Sequence, residues 1–212
     1  CRRHDDFGSP ETARASRAQL EHLDQMLELL ATQTGGESDM LEWHRLMLLV
    51  KHGHVFPESA LERYPEGSRE RAELAGMLEL ERSNFEESLA RFREALSKPA
   101  PPTRRVSLVG KCTLAALRVG DTTFAKEILD VLGGVDLDRT TPRVRFAAKA
   151  IERLLQRVLG HPVERLPEDF ASTALHIGDA EAAALHQSVD EDRGGTLSLD
   201  HIDSLASLVR RY

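Results

Sequence analysis

RERAELAGMLELERSNFEESLARFREALSK, residues 69–98, decides how the rest of the chain is read. Its apolar side chains fall in two runs at helical spacing: Leu74, Met77 and Leu78, then Phe85, Leu89, Phe92 and Leu96. Residues three and four apart share one face of a helix, so each run predicts an amphipathic helix. The polar Arg82-Ser83-Asn84 break between them predicts a reversal. Together they predict an antiparallel helical hairpin.

Downstream, Pro99-Ala100-Pro101-Pro102 cannot continue a helix and acts as a stiff connector. Thr103–Val119 then predicts a helix and Phe124–Leu132 its partner, joined at Gly120-Asp121. In the first hairpin, small Gly76 and Ser88 stand where the helices would cross, Phe92 would wedge between them, and Ala95-Leu96 precede the proline-rich exit. In the second, Gly120 takes the tight turn, Ala125 the crossing position and Leu129 the wedge. These positions resemble the tetratricopeptide repeat, although the two turns lie nearer 37 residues apart than the 34 typical of that family. Gly53 sits about 30 residues before Ser83, so Met40–Tyr64 reads as a degenerate earlier copy. The resemblance covers mainly Arg69–Leu132. It implies an all-α fold, a TPR-like α-solenoid of stacked antiparallel helical hairpins closed by a helix over Pro142–Leu159. It also implies a concave groove that holds a protein or peptide partner without chemistry.

Upstream, residues 1–8 read as a flexible lead-in, and Ser9-Pro10-Glu11 carries helix-start chemistry. Ala13–Ala31 predicts a long helix with Leu20, Leu23, Leu27 and Leu30 on one side, ended by Gly35-Gly36. Met40–His52 predicts a second, ended by Gly53, and Pro57 opens a short third through Tyr64. Prolines Pro162 and Pro167 interrupt the pattern late in the chain. The expected organisation is therefore a repeat domain over 9–161 and a separate C-terminal module over 166–212.

That module holds a motif. Ala180–Val189 and Ile202–Val209 read as helices, and between them lies DEDRGGTLSLDH, Asp190 to His201. The twelve residues resemble an EF-hand loop. The resemblance places Asp190 and Asp192 at the first and third ligand positions and Gly195 at the sharp turn. It gives Thr196 a backbone-carbonyl role, Leu197 the task of pinning the loop to the core, and Ser198 a water or hydroxyl ligand. Calcium needs six to eight hard oxygens, which a chain supplies by alternating ligands and bending at glycine. Two positions depart from the family: His201 stands where it uses a bidentate Glu, and Gly194 offers no side-chain oxygen at the fifth position. Asp190, Asp192, Thr196, Ser198 and His201 are the candidate metal ligands, and calcium the candidate cofactor. The alternative is a loop that keeps the turn but not the metal.

A formal net charge of −7 argues against a general nucleic-acid binder, whose surface must neutralise phosphates. Charged residues at 30% and aromatics at 5% suit stacked helices better than a sheet sandwich. No apolar run reaches the roughly 18 residues that would span a bilayer. Cys1 leaves three readings open: a lipidated lipoprotein-type cysteine, the basic Cys1-Arg2-Arg3-His4 edge of a preceding membrane helix, or an arbitrary start. Cys112 reads as a buried small hydrophobe.

Other patterns carry weaker chemistry. Val109-Gly110-Lys111-Cys112-Thr113 is similar to the end of a phosphate-binding loop, but lies in a helical run with Arg105 where the first glycine belongs. His44, His52 and His54 could ligate a metal or simply end a helix. Arg145, Lys149, Arg153 and Arg157 recur every four residues, either docking an acidic segment or forming a solvated face with Glu152. Trp43 reads as core, with peptide contact as the alternative. No motif specifies a reaction, so the expected function is a non-catalytic interaction scaffold, with a calcium-responsive module as the alternative.

Overall fold

A computed structural model of the chain describes residues 39–51, 56–191 and 197–211, with the isolated helical positions His22 and Gln25. All regular secondary structure among these residues is helical, as the periodicity requires. The predicted lead-in and most of the Ala13–Ala31 segment lie outside the described residues. Contacts divide the chain into two compact units, Cys1–Glu66 and Gly67–Tyr212.

In the first unit, helix α1 spans Asp39–Lys51. Trp43, Leu46, Met47 and Val50 are buried, one stripe at i, i+3, i+4 and i+7, so Trp43 is core. The segment opened by Pro57 is a 3-10 helix, Glu58–Arg63, between buried Phe56 and Tyr64.

The second unit starts with the predicted hairpin. Helix α2, Arg69–Glu81, begins where the Ser68 hydroxyl accepts the Arg71 N–H at 3.3 Å, a side-chain N-cap. It ends in a Schellman turn: Ser83 N–H reaches Leu80 O at 3.0 Å and Asn84 N–H reaches Glu79 O at 2.9 Å. Ser83 takes the left-handed conformation (φ 62°) that such turns need. Helix α3, Phe85–Leu96, returns antiparallel. At the crossing the buried Ser88 hydroxyl donates to Gly76 O at 2.9 Å, and a β-carbon on Gly76 would meet the Phe92 ring at 2.5 Å. The two backbones approach this closely because neither Gly76 nor Ser88 carries bulk there.

Helix α4, Pro102–Val119, ends in a second Schellman turn, with Gly120 at φ 80° and its N–H on Leu117 O while Asp121 N–H reaches Ala116 O. Helix α5, Phe124–Gly133, follows, its first turn held by Asp121, whose carboxylate accepts the Phe124 N–H at 3.2 Å. Ala125 is buried at the expected crossing position. The wedge is Ile128 and not Leu129, which is only half buried. With the helix starting at Phe124, the inward stripe is Phe124, Ala125, Ile128 and Leu132, and Leu129 is turned about 100° past Ile128. A 3-10 turn at Leu137–Arg139 leads to helix α6, Pro142–Val158, capped by the Thr141 hydroxyl on Val144 N–H at 3.3 Å.

Past α6 the chain passes without regular secondary structure to helix α7, Phe170–Ile177, which the sequence periodicity does not announce, then α8, Ala180–Glu191, and α9, Leu199–Arg211. These C-terminal helices, which the sequence suggests as a module of their own, fall by contacts within the Gly67–Tyr212 unit, with α8 on α6 and α9 on α4.

The result is three layers of helices. α4 and α6 form the middle one, with α3 and α5 on one side and α8 and α9 on the other, while α2 pairs with α3. α2 joins α4 through ion pairs from Glu73 to Lys111 and Arg104. α4 therefore has neighbours all round, and its residues from Val106 to Leu117 are buried without interruption. Gly110 sits at this centre, where a β-carbon would touch Ile151 of α6 and Val209 of α9 at 3.3 and 3.5 Å. One flank of α4 and α6 is occupied by the chain's own terminal hairpin.

Candidate functional site

The loop candidates for metal divide. Asp192 and Thr196 lie outside the described residues. Asp190 closes the last turn of α8, and its Oδ1 accepts from Arg153 at 3.2 Å and from the Leu166 N–H at 3.1 Å. Arg153 also donates to Glu164 O, so carboxylate and guanidinium together clasp the 161–169 segment between α6 and α8. Ser198 and His201 are brought together at the start of α9. His201 is buried, its Nδ1 accepting the Ser198 N–H at 3.0 Å and lying 2.8 Å from the Ser198 hydroxyl. This is a capping box in which His201 plays the part that Glu or Gln usually takes at the third helical position. The Nδ1 lone pair of His201 is thus engaged in starting a helix. Leu197, expected to pin the loop to the core, is 37% exposed. Among the described residues no three His, Cys, Asp or Glu side chains gather as a metal site.

Within the basic stripe on α6, Arg145 and Arg153 bond to neighbouring segments, and Lys149 forms a solvated pair with Glu152. Arg143 donates to Gly178 O at 2.7 Å, Arg145 to Thr140 O at 2.8 Å, and Lys149 pairs with Glu152 at 2.7 Å. Lys149 and Glu152 both lie on α6, whereas Arg143, Arg145 and Arg153, the last on Asp190, tie α6 to the flanking turns and to α7–α8. His44 is exposed and meets the edge of Trp43 at 5.0 Å between centroids, while His52 and His54 lie outside the described residues.

Two buried polar clusters went unseen in the sequence. The first joins α2 to α4. Glu73 and Lys111 are fully buried and hydrogen-bonded to each other, and Arg104 reaches the second carboxylate oxygen at 2.7 Å. Burial pulls the Lys111 ammonium below the ordinary lysine pKa, with the Glu73 charge opposing that shift. Two cations on one carboxylate leave the cluster net positive but hydrogen-bonded throughout, which keeps a buried charge tolerable. The Lys111 segment is mid-helix, as its helical run predicts, and the ammonium points inward. Its neighbour Cys112 is buried, and desolvation raises its thiol pKa well above the ordinary range. A thiol so held stays protonated and behaves as a small apolar side chain.

The second cluster joins α6, α7 and α8. The His186 ring packs 4.6 Å from Phe146 and 5.4 Å from Phe170, and those two phenyl rings stack at 5.8 Å. Nε2 of His186 lies 3.2 Å from Phe146 O. Burial lowers its pKa to about 4, and the nearby Arg153 adds to the shift.

On the surface, apolar groups gather where α4 ends and α9 begins. Val119 is 37% exposed and Leu199 71%. Between them Arg118 pairs with Asp203 at 3.5 Å and extends over the half-buried Phe85 ring at 5.9 Å. Asp203 follows Leu199 by one helical turn, so both project from the same side of α9. Farther along α9, Arg210 faces Glu81 at the end of α2, whose carboxyl pKa burial raises. Among the described residues no helix is long and apolar enough to cross a membrane. Comparison with known proteins returned no matching family model, curated protein or solved structure.

Proposed function

We propose that the chain is a non-catalytic protein–protein interaction scaffold built on TPR-like helical hairpins. The observation that carries this reading is the Gly76–Ser88–Phe92 crossing: the small residues meet and the aromatic wedges beside them. Hairpins closed this way stack by side-chain burial alone and leave their outer faces free to hold other chains. The interior charges are engaged with one another, Glu73 with Lys111 and Arg104, Asp190 with Arg153, which suits structural duty better than turnover.

The partner class is an amphipathic helix. The middle layer already accepts one: α9 lies along α4 with Leu205, Leu208 and Val209 buried. Beside it, Val119, Leu199 and the rim of Phe85 offer apolar surface bordered by the Arg118–Asp203 pair, the pattern of a docking patch with a polar rim. Affinity capture with the wild-type chain, Arg118→Glu, and the swap Arg118→Glu/Asp203→Arg tests this. A partner retained by wild type and lost on Leu199→Asp and Arg118→Glu, with circular dichroism unchanged, supports the reading. Equal recovery by all variants overturns it.

A further inference from the structure

We propose that the joint between α6 and the α7–α8 arm is an acid-sensitive latch with His186 as its sensor, closed when the imidazole is neutral and loosened when it is protonated. The inference stands on the geometry of the joint and does not depend on the scaffold reading. His186 projects from α8 into a seat made by Phe146 of α6 and Phe170 of α7, and it is almost wholly buried. The contact from Nε2 to Phe146 O identifies that nitrogen as the one carrying the proton. Nδ1 is buried with no hydrogen-bond partner. As the lone-pair nitrogen of a neutral ring it costs little there. Protonation turns it into a buried N–H with nothing to receive it, and places a charge between two phenyl rings.

The charged groups around the ring do not rescue the cation. α6 presents Arg153, whose own charge opposes it. On α8, Asp190 lies one turn further along and is engaged by Arg153 and the Leu166 N–H. α7 contributes His176, which is exposed. On α9, His201 is held by Ser198, Asp203 pairs with Arg118, and Arg211 pairs with Glu181 and Asp179. The resulting pKa of about 4 lies below that of a free histidine at about 6.5, so the latch strains across the interval between them.

Amide hydrogen exchange across the full chain, corrected for intrinsic rates, reads the effect directly. Lowering the pH from 7 to about 5 is expected to reduce protection of residues 170–190 by about 20-fold, while α2 and α3 keep theirs. His186→Phe keeps the aromatic seat and removes the proton site, and should abolish the selective loss. An equal loss in His186→Phe, or no loss confined to the arm in wild type, overturns the proposal. If His186→Phe does not fold, an NMR titration of the wild-type imidazole decides: an apparent pKa near 4 to 5 supports the latch, and one near 6.5 overturns it.

Discussion

Replacing Gly76 with alanine puts the hairpin crossing to a quantitative test. In most helix interiors this exchange stabilises by about 1 kcal/mol, because glycine has more backbone freedom to lose. At Gly76 the new β-carbon would stand 2.5 Å and 2.6 Å from two Phe92 ring carbons and 3.1 Å from a third. Phe92 is fully buried and the Ser88 hydroxyl holds Gly76 O, so neither ring nor helix can step aside freely. Overpacking of this kind costs roughly 1–3 kcal/mol, and three short contacts on one rigid ring place it at the upper end. The net expectation is a loss of about 1–2 kcal/mol, read as a lower urea midpoint at unchanged slope. Gly133→Ala is the internal control, since nothing lies within 4 Å of the added carbon and its backbone is ordinary helix. It should be neutral or stabilising by up to about 1 kcal/mol. Phe92→Leu added to Gly76→Ala should recover part of the loss, the coupling expected of residues in contact. If the two glycine variants behave alike, the close crossing is not what holds α2 to α3, and the likeness to a repeat hairpin loses its physical basis.

Three further outcomes follow from the geometry. Glu73→Ala strands a buried Lys111 and should cost about 3–5 kcal/mol, whereas Glu73→Leu with Lys111→Met should restore most of it, because both buried charges leave together. Chemical denaturation of the single and double variants reads the difference. Ser83→Gly removes a β-carbon from a left-handed turn and should raise stability by up to about 1 kcal/mol, while Gly120→Ala at the equivalent turn should lose about as much in the same assay. Asp190→Ala breaks the clasp on Arg153 and Leu166 and should cost about 1–2 kcal/mol with or without calcium. Calorimetry at millimolar calcium is expected to show no heat that depends on Asp190, and a heat abolished by the substitution would establish the loop as a calcium site.

What could be read from the letters was local. The α2–α3 hairpin, its turn, its small crossing residues and its aromatic wedge all fall within 30 residues, where helical periodicity and turn chemistry act together. In the second pair the wedge is Ile128 where the spacing suggests Leu129: both are equally apolar, and only packing of the Phe124, Ala125 and Leu132 stripe against neighbouring helices selects between them. Glu73 carries no local sign of burial, since the two cations that pair with it, Arg104 and Lys111, come from another helix. One signal did exist. Lys111 stands among Leu108, Val109, Gly110, Cys112 and Leu114, and a lysine in such company must be buried and needs a counter-charge. His186 has a similar signature beside Ala182, Leu185 and Val189, all buried on α8. The letters of the Asp190–His201 motif serve two chemistries. A carboxylate at a helix end can take an arginine as readily as a cation, and a histidine at the third helical position can cap as readily as ligate.

The third layer bears most directly on where a partner could sit. A helix that forms one wall of an open groove keeps a polar stripe, but α4 is buried from Val106 through Leu117 with Lys111 neutralised in place. Such a helix requires cover on its last face, and α9 supplies it, running antiparallel so that Val209 meets Gly110 and Asp203 meets Arg118. An external helix competing for that face would have to displace Leu205, Leu208 and Val209 together, each worth about 1.5–3 kcal/mol when fully buried. Docking at Val119 and Leu199, where apolar surface is already open, carries no such penalty. Leu199→Asp should therefore weaken partner capture without lowering stability, whereas Leu208→Asp should unfold the unit before any effect on binding can be read.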